Sequence, residues 1–225
     1  MDKLLTVVIP SYNVEKFLNQ TLDSFVCDEA VMKKFEVIVV DDGSKDNTAK
    51  VGKEYADKYP DTFRVISKEN GGHGSTINCG IRNAVGKYFK VVDGDDWVNT
   101  ADFVKLVEDL EKTESEYVFT NYNEYYDDVN RQKAVDFPQF KDGTEYDFAD
   151  VANKVYIPMH ALVIKTSVLK DNNIVIDEKC FYVDVEYVMF PVPFVNKVTF
   201  FDLHVYMYRL ALSTQSVSIL GFQKH

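Results

Sequence analysis

Phe35-Glu36-Val37-Ile38-Val39-Val40-Asp41-Asp42-Gly43-Ser44 decides the fold of this 225-residue chain. A β-branched, mainly apolar run of strand length stops at two acids, a glycine and a serine, and a helix is predicted from about Asn47 to Tyr59. A run that does not alternate with polar residues is expected where both faces of a parallel sheet are covered. The same phrase recurs on either side. Leu4 to Ile9 (LLTVVI) ends in Pro10-Ser11-Tyr12-Asn13 and leads into a helix-like stretch from Val14 to Phe25. Phe63 to Ser67 leads into Gly71-Gly72-His73-Gly74 and a helix to about Ala84, and Tyr88 to Val92 leads into Asp93-Gly94-Asp95-Asp96. Strand, polar loop and helix in repetition predict an α/β fold: a doubly wound, mostly parallel sheet with helices on both faces. Ligands of such sheets bind beyond the carboxyl ends of the strands, so the four special loops are expected to meet.

The last of those loops carries the chemistry. Two unit charges roughly 5 Å apart repel by about 3 kcal/mol at an effective dielectric of about 20, so carboxylates crowded at a strand end need a cation. Gly94 is expected to let the backbone turn so that Asp93 and Asp95 converge. Oxygen ligands of this kind suit Mg2+ or Mn2+, which keep positions open for phosphates. The plain alternative is a solvated acidic turn, since Asp-x-Asp is a short and common pattern. Gly71-Gly72-His73-Gly74-Ser75 precedes a helix whose N-terminus can present N–H groups to an anion. It is neither a dinucleotide fingerprint, which would follow the first strand, nor a P-loop, which would need Gly-Lys-Ser/Thr.

TVVIPSYNVEKFL, VIVVDDGSKDNT and VVDGDDW, in this order and spacing, resemble the nucleotide-sugar-binding half of family 2 glycosyltransferases of the GT-A fold. The resemblance runs from about Leu4 to Trp97. A weaker continuation through Ala161 to Lys165, Tyr182 to Tyr187 and Tyr206-Met207-Tyr208-Arg209 resembles the acceptor half. It implies one domain with a nucleotide-sugar half over 1–98 and an acceptor half with a small β/α region over 99–225. It also implies residue roles. Pro10 and Tyr12 would lie against the base, Asp41 would accept its ring N–H, and Asp93 would contact the ribose. Asp95 would hold a Mg or Mn ion, with Asp96 as companion acid, and Gly72 and Gly94 would line the nucleotide. Asp42 is expected to be structural, as a turn acid. Arg209 is a candidate for the diphosphate, because a guanidinium matches phosphate geometry. Asp184 would be the base that takes the acceptor proton; Val183 stands before it where the family carries Glu, and Ile77 stands where the family often has Arg. Asp184 and Glu186 fall on different sides of a helix, so only one can face the site.

The implied activity is an inverting, metal-dependent transfer from a nucleoside-diphosphate sugar, UDP-sugar being favoured, to a hydroxyl of a glycan or lipid-linked saccharide. A non-catalytic nucleotide-sugar binder of the same fold is the alternative. The Gln-x-x-Arg-Trp signature of processive members is absent, since Trp97 is the only tryptophan, so a non-processive enzyme of polysaccharide or cell-envelope biosynthesis is expected. His73 and His160 are further candidates for phosphate or acceptor contact. Tyrosines Tyr122, Tyr125, Tyr126 and Tyr146 suit either sugar stacking or half-exposed strands.

Composition sets the bounds. A formal net charge of −11 argues against nucleic acid as a partner. Cys27, Cys79 and Cys180 have no metal or redox spacing, and an odd count suits reduced thiols, hence a cytoplasmic chain. The apolar stretch around Tyr187 to Val195 is broken by Pro191 and Pro193, far short of a membrane span. Gly221 to His225 follows soon after the last family-like element. A trimmed C-terminus is therefore expected, whose missing tail would carry acceptor contacts or membrane contacts at the inner face.

Overall fold

The computed structural model describes residues 3–211. The first four strands are β1 (Leu5–Ser11), β2 (Phe35–Asp41), β3 (Phe63–Ser67) and β4 (Tyr88–Val91). Between them lie α1 (Glu15–Asp23), α2 (Glu29–Met32), α3 (Thr48–Lys58) and α4 (His73–Asn83). A short β5 (Trp97–Val98) and α5 (Thr100–Asp109) lead to β6 (Tyr117–Tyr126), β7 (Arg131–Val135) and β8 (Thr144–Asp147). The chain then passes through α6 (Phe148–Val151), β9 (Leu162–Lys165), α7 (Thr166–Asp171) and α8 (Val183–Met189) to the long β10 (Lys197–Leu210).

All ten strands form one sheet in the order β3-β2-β1-β4-β9-β6-β10-β5, with β7 on β6 and β8 on β10. The β3-β2-β1-β4 half is parallel throughout, as its uninterrupted apolar runs predict. β9 enters antiparallel to both β4 and β6, and so joins the parallel half to the second half. β10 is parallel to β6, with register shifts around His204.

The pleat sorts each run into two cores. Val8, Ile38, Val40, Phe89 and Val91 pack on one face with Ile77 and Ile81 of α4 and Val188 of α8. Leu5, Val7, Ile9, Val37 and Val39 pack on the other with Leu18 and Leu22 of α1 and Phe103 and Leu106 of α5. Both faces are therefore dry, and β1 and β2 are buried along their whole length. Lys90 is a charged residue inside this apolar run: it is fully buried and directs Nζ to the carbonyls of His160 at 2.8 Å and Leu162 at 3.2 Å. None of the helices is long and apolar enough to cross a membrane among the described residues. The expectations about the C-terminal end fall on residues outside those described.

Candidate active site

The loops after β1 and β2 are tied together first. Ser11 lies in register with Asp41, and its carbonyl accepts the Asp42 N–H at 2.8 Å. Asn13, in the left-handed region at φ 55°, donates its N–H to Ser44 Oγ and accepts the Lys45 N–H. Pro10 is buried in β1, while the ring of Tyr12 is 48% exposed, a flat face at the rim of the site. Asp41 is buried and accepts the Ser44 N–H at 3.1 Å.

Asp42 is structural, but not as the acid of its own turn, whose Ser44 N–H goes to Asp41. The Asp42 carboxylate accepts from Lys68 Nζ at 2.7 Å, the Gly71 N–H at 3.0 Å and the Gly72 N–H at 2.8 Å. These bonds fold the glycine loop back over the end of β2. Gly72 has φ +84° as it enters α4, a conformation that L side chains rarely adopt. The turn delivers His73 to the site, where its Nε2 lies 2.8 Å from Asp93 Oδ1.

The acid loop is built against β1, α1 and β10. Gly94 donates its N–H to the Pro10 carbonyl, and its φ is not positive. The requirement for glycine is space: a Cβ would meet Val14 at 2.9 Å and the Pro10 carbonyl and Ser11 Oγ at 3.0 Å. This corrects the expectation of a conformational role for Gly94. Thr21 Oγ1 is bonded to the carbonyls of Gly94 at 3.1 Å and Asp96 at 2.6 Å. From β10, the Tyr206 hydroxyl accepts the Asp93 N–H and donates to Asp96 Oδ2 at 2.6 Å. The Arg209 N–H reaches Asp96 Oδ1 at 2.7 Å.

Arg209 differs from the phosphate ligand expected. It is buried, its Nε donates to the Asp95 carbonyl at 2.8 Å, and its other nitrogens reach Asp127 and Gln20. The guanidinium also lies over Trp97 and Phe17, with centroids 4.7 and 5.0 Å away. Every direction of its planar fork meets protein, so it braces the acid loop.

Electrostatics follow from this packing. Burial, with Asp95 and Asp93 adding to it, pushes the Asp96 carboxyl well above the usual carboxylate range, against the bonds from Tyr206 and Arg209. Burial also opposes charge on Asp93, but the His73 imidazole and its hydrogen bond outweigh it and hold Asp93 below its ordinary value. Burial lowers the His73 pKa, yet Asp93, Asp184 and Asp95 together raise it above its ordinary value. Three neighbouring carboxylates, one of them held against ionisation by burial and by the charges of the other two, form a donor set that suits a hard divalent cation.

The ligand-capable atoms of Asp93, Asp96 and His160 all lie within 4.8 Å of one another. Asp95, the expected ion holder, is not in that trio, although its charge is felt by Asp96 and His73. The turn that bonds the Asp96 N–H to the Asp93 carbonyl brings the outer two acids together. His160 stacks on Tyr208 at 4.0 Å and meets Tyr206 edge-on at 4.9 Å. Burial pulls its pKa down to about 4.

Asp184 sits in the first turn of α8, after Tyr182 at φ 60°. Its charge raises the pKa of Tyr156 and Tyr208 as well as His73, whereas Glu186 turns away and accepts the Asp177 N–H at 2.8 Å. The helix thus divides its two acids as their spacing predicts. His73 was expected as a phosphate or acceptor contact, and its pairing with Asp93 was not foreseen. Lys90, lodged under the site, was missed, although a lysine inside Tyr88 to Val92 was the visible signal.

Residues 6–172 match the family model described as glycosyl transferase family 2. The uncharacterized glycosyltransferase EpsJ of Bacillus subtilis (strain 168) is 37% identical over 118 residues, 52% of this chain and 33% of that protein. The minor teichoic acid biosynthesis protein GgaB of the same organism is 32% identical over 111 residues, 49% of this chain and 12% of that one. Among solved structures, S. aureus TarS 1-349 in complex with UDP-GlcNAc superposes with a TM-score of 0.77 at 23% identity, over 93% of this chain and 59% of that chain. Mannosyltransferase PcManGT from Pyrobaculum calidifontis, in complex with GDP-Man and Mn2+, superposes with a TM-score of 0.66 at 18% identity, over 92% and 57%. The chain therefore spans a third or less of these curated relatives and under two thirds of these solved chains.

Proposed function

The chain belongs to glycosyl transferase family 2, and from that premise we propose that it is an inverting transferase moving a sugar from a nucleoside-diphosphate sugar, a UDP-sugar by preference, to a hydroxyl of a glycan or lipid-linked saccharide. The observation that carries this reading is the acid loop, gathered with the ends of β1 and β2 and with His73, whose ring feels the charge of Asp184. The UDP-GlcNAc bound by TarS and the GDP-Man and Mn2+ bound by PcManGT support a nucleotide-sugar donor and a divalent ion. In this reading residues 1–98 form the donor half, and 99–225 form the acceptor half of the same domain.

Tyr12 offers its exposed ring to the base, Pro10 backs it, and Asp41 accepts the base N–H. Asp93, oriented by His73, receives the ribose, and the backbones of Gly72 and Gly94 line the nucleotide. Asp95, with Asp93, would hold a Mn2+ or Mg2+ ion that offsets the charge of the departing diphosphate. Asp184 takes the proton of the acceptor hydroxyl as its oxygen bonds to the anomeric carbon. The bond from that carbon to the diphosphate oxygen breaks, and its electron pair leaves with the nucleotide. Attack opposite the leaving group inverts the sugar.

Asp184→Asn is expected to bind UDP-sugar with unchanged affinity and to lose transfer by about 10²- to 10⁴-fold, the usual contribution of a general base. UDP release with a panel of donors and acceptors checks this, and equal turnover would remove Asp184 from the mechanism. Tight UDP-sugar binding without transfer to any acceptor would instead favour a binding protein. Asp95→Ala is expected to abolish the Mn2+-dependent part of nucleotide affinity in calorimetry.

A further inference from the structure

Two histidines approach the acid loop, and they behave differently. His73 closes on Asp93 to hydrogen-bond distance, 2.8 Å. His160 comes from the other half of the chain, ahead of β9, and its nearest ring nitrogen stands within 4.8 Å of carboxylate oxygens of both Asp93 and Asp96 without bonding either. Among the described residues, neither of its ring nitrogens has a hydrogen-bond partner. The ring is nonetheless held firmly. Tyr208 stacks on one face, Tyr206 packs against it edge-on, and Tyr122 lies at 5.7 Å. Lys90 fixes the His160 carbonyl from beneath. The imidazole is gripped on its carbon atoms and backbone, and its uncommitted nitrogens leave a lone pair within 4.8 Å of two acids, free to be given to an ion. With bonds of about 2.1 Å, two ligand atoms of one ion lie about 3 Å apart at adjacent corners and about 4 Å apart at opposite ones, so a modest closure fills the gap.

We propose that His160 donates a ring nitrogen to the divalent ion of the acid loop, completing an oxygen-and-nitrogen set with Asp93, and that this makes the site prefer Mn2+ to Mg2+. The inference rests on the reading of the site as metal-dependent. An all-oxygen site suits Mg2+, whereas imidazole favours first-row transition ions. The ligand comes from the acceptor half, so the ion ties the two halves together at the point of transfer. Asp96 contributes least, because Tyr206 and Arg209 already engage both of its oxygens.

The test uses His160→Phe, which keeps an aromatic ring between the tyrosines and removes the nitrogens. Mn2+ is titrated into the wild-type chain and the variant, each with saturating UDP, and bound Mn2+ is followed by electron paramagnetic resonance. Pulsed measurements then read nitrogen coupling to the ion. Wild type is expected to show imidazole nitrogen coupling that persists in His73→Phe and disappears in His160→Phe. The Mn2+ affinity of His160→Phe should fall at least about tenfold, while Mg2+ affinity, measured by competition, changes far less. Mn2+ bound by wild type without nitrogen coupling, or coupling that survives in His160→Phe, overturns the proposal and leaves the transferase reading standing. No Mn2+ bound with UDP overturns both. A wild-type spectrum without nitrogen coupling is decisive even if the variant folds poorly, and His160→Gln provides a second substitution where coupling is seen.

Discussion

Lys90 is fully buried, and its Nζ meets two carbonyls and, at 5.4 Å, the ring of Tyr206. Burial pulls its pKa down to about 7. A depressed folded pKa means that the unfolded chain binds more protons between pH 7 and the ordinary lysine value, so stability rises with pH across that window. Relative to Lys90→Met, wild type is expected to gain on the order of 5 kcal/mol between about pH 7 and pH 10.5, and to show a flat difference below pH 7. Urea unfolding of both proteins across that range checks the sign; a difference that does not change with pH would show that the lysine stays charged in the fold. Arg209 makes a second prediction at this scale. Arg209→Lys keeps the charge but loses the fork that reaches the Asp95 carbonyl, Asp127 and Gln20, and is expected to cost about 2–3 kcal/mol. Mn2+-dependent UDP affinity should fall with it, measured on the folded fraction. Neither role was legible from sequence. Tyr-Met-Tyr-Arg shows a cation near the end of the chain, but what encloses it depends on Trp97, Phe17 and Gln20, far away along the chain.

The strands of the donor half, and its helices other than the one-turn α2, were legible nearly to the residue, because a run buried on both faces has no polar alternation to obscure its ends. The strand expected over Phe63 to Ser67 is β3, and the helix expected from about Asn47 to Tyr59 is α3. The division between Asp184 and Glu186 was equally visible, since helix spacing alone separates them. The acid loop was less so. Its acids are four consecutive residues apart from one glycine, and which of them converge depends on a turn between Asp93 and Asp96 and on bonds from β10. Gly94 shows the same limit: composition suggests freedom, while packing against Pro10 and Val14 demands room. At the element scale, Asn99 caps α5 by accepting the N–H groups of Ala101 and Asp102. Asn99→Ala is expected to lower stability by about 1 kcal/mol with little effect on nucleotide binding, read from the urea midpoint at constant m-value.

The two halves of the molecule meet where α4 passes under the segment leading to α8. A Cβ on Gly74 would stand 2.0 Å from the Asp177 carbonyl oxygen and 3.0 Å from Ile176 Cγ2. Backbone cannot yield as a side-chain tip can, so Gly74→Ala must move the segment that Glu186 holds through the Asp177 N–H. The expected result is a loss of about 1–3 kcal/mol, typical of overpacking, and a fall in transfer rate larger than any fall in UDP affinity. Turnover and calorimetry on the same sample separate those two effects.

Tyr206 and Arg209 lie 110 and 113 residues beyond the acid that they hold. A chain emerging from the ribosome can pair β1, β2 and β4 early, yet its carboxylates stay loosely arranged until β10 has been made and threaded beside β6. Such distant pairing is slow, so the acid loop should take its final arrangement late, only after β10 has docked.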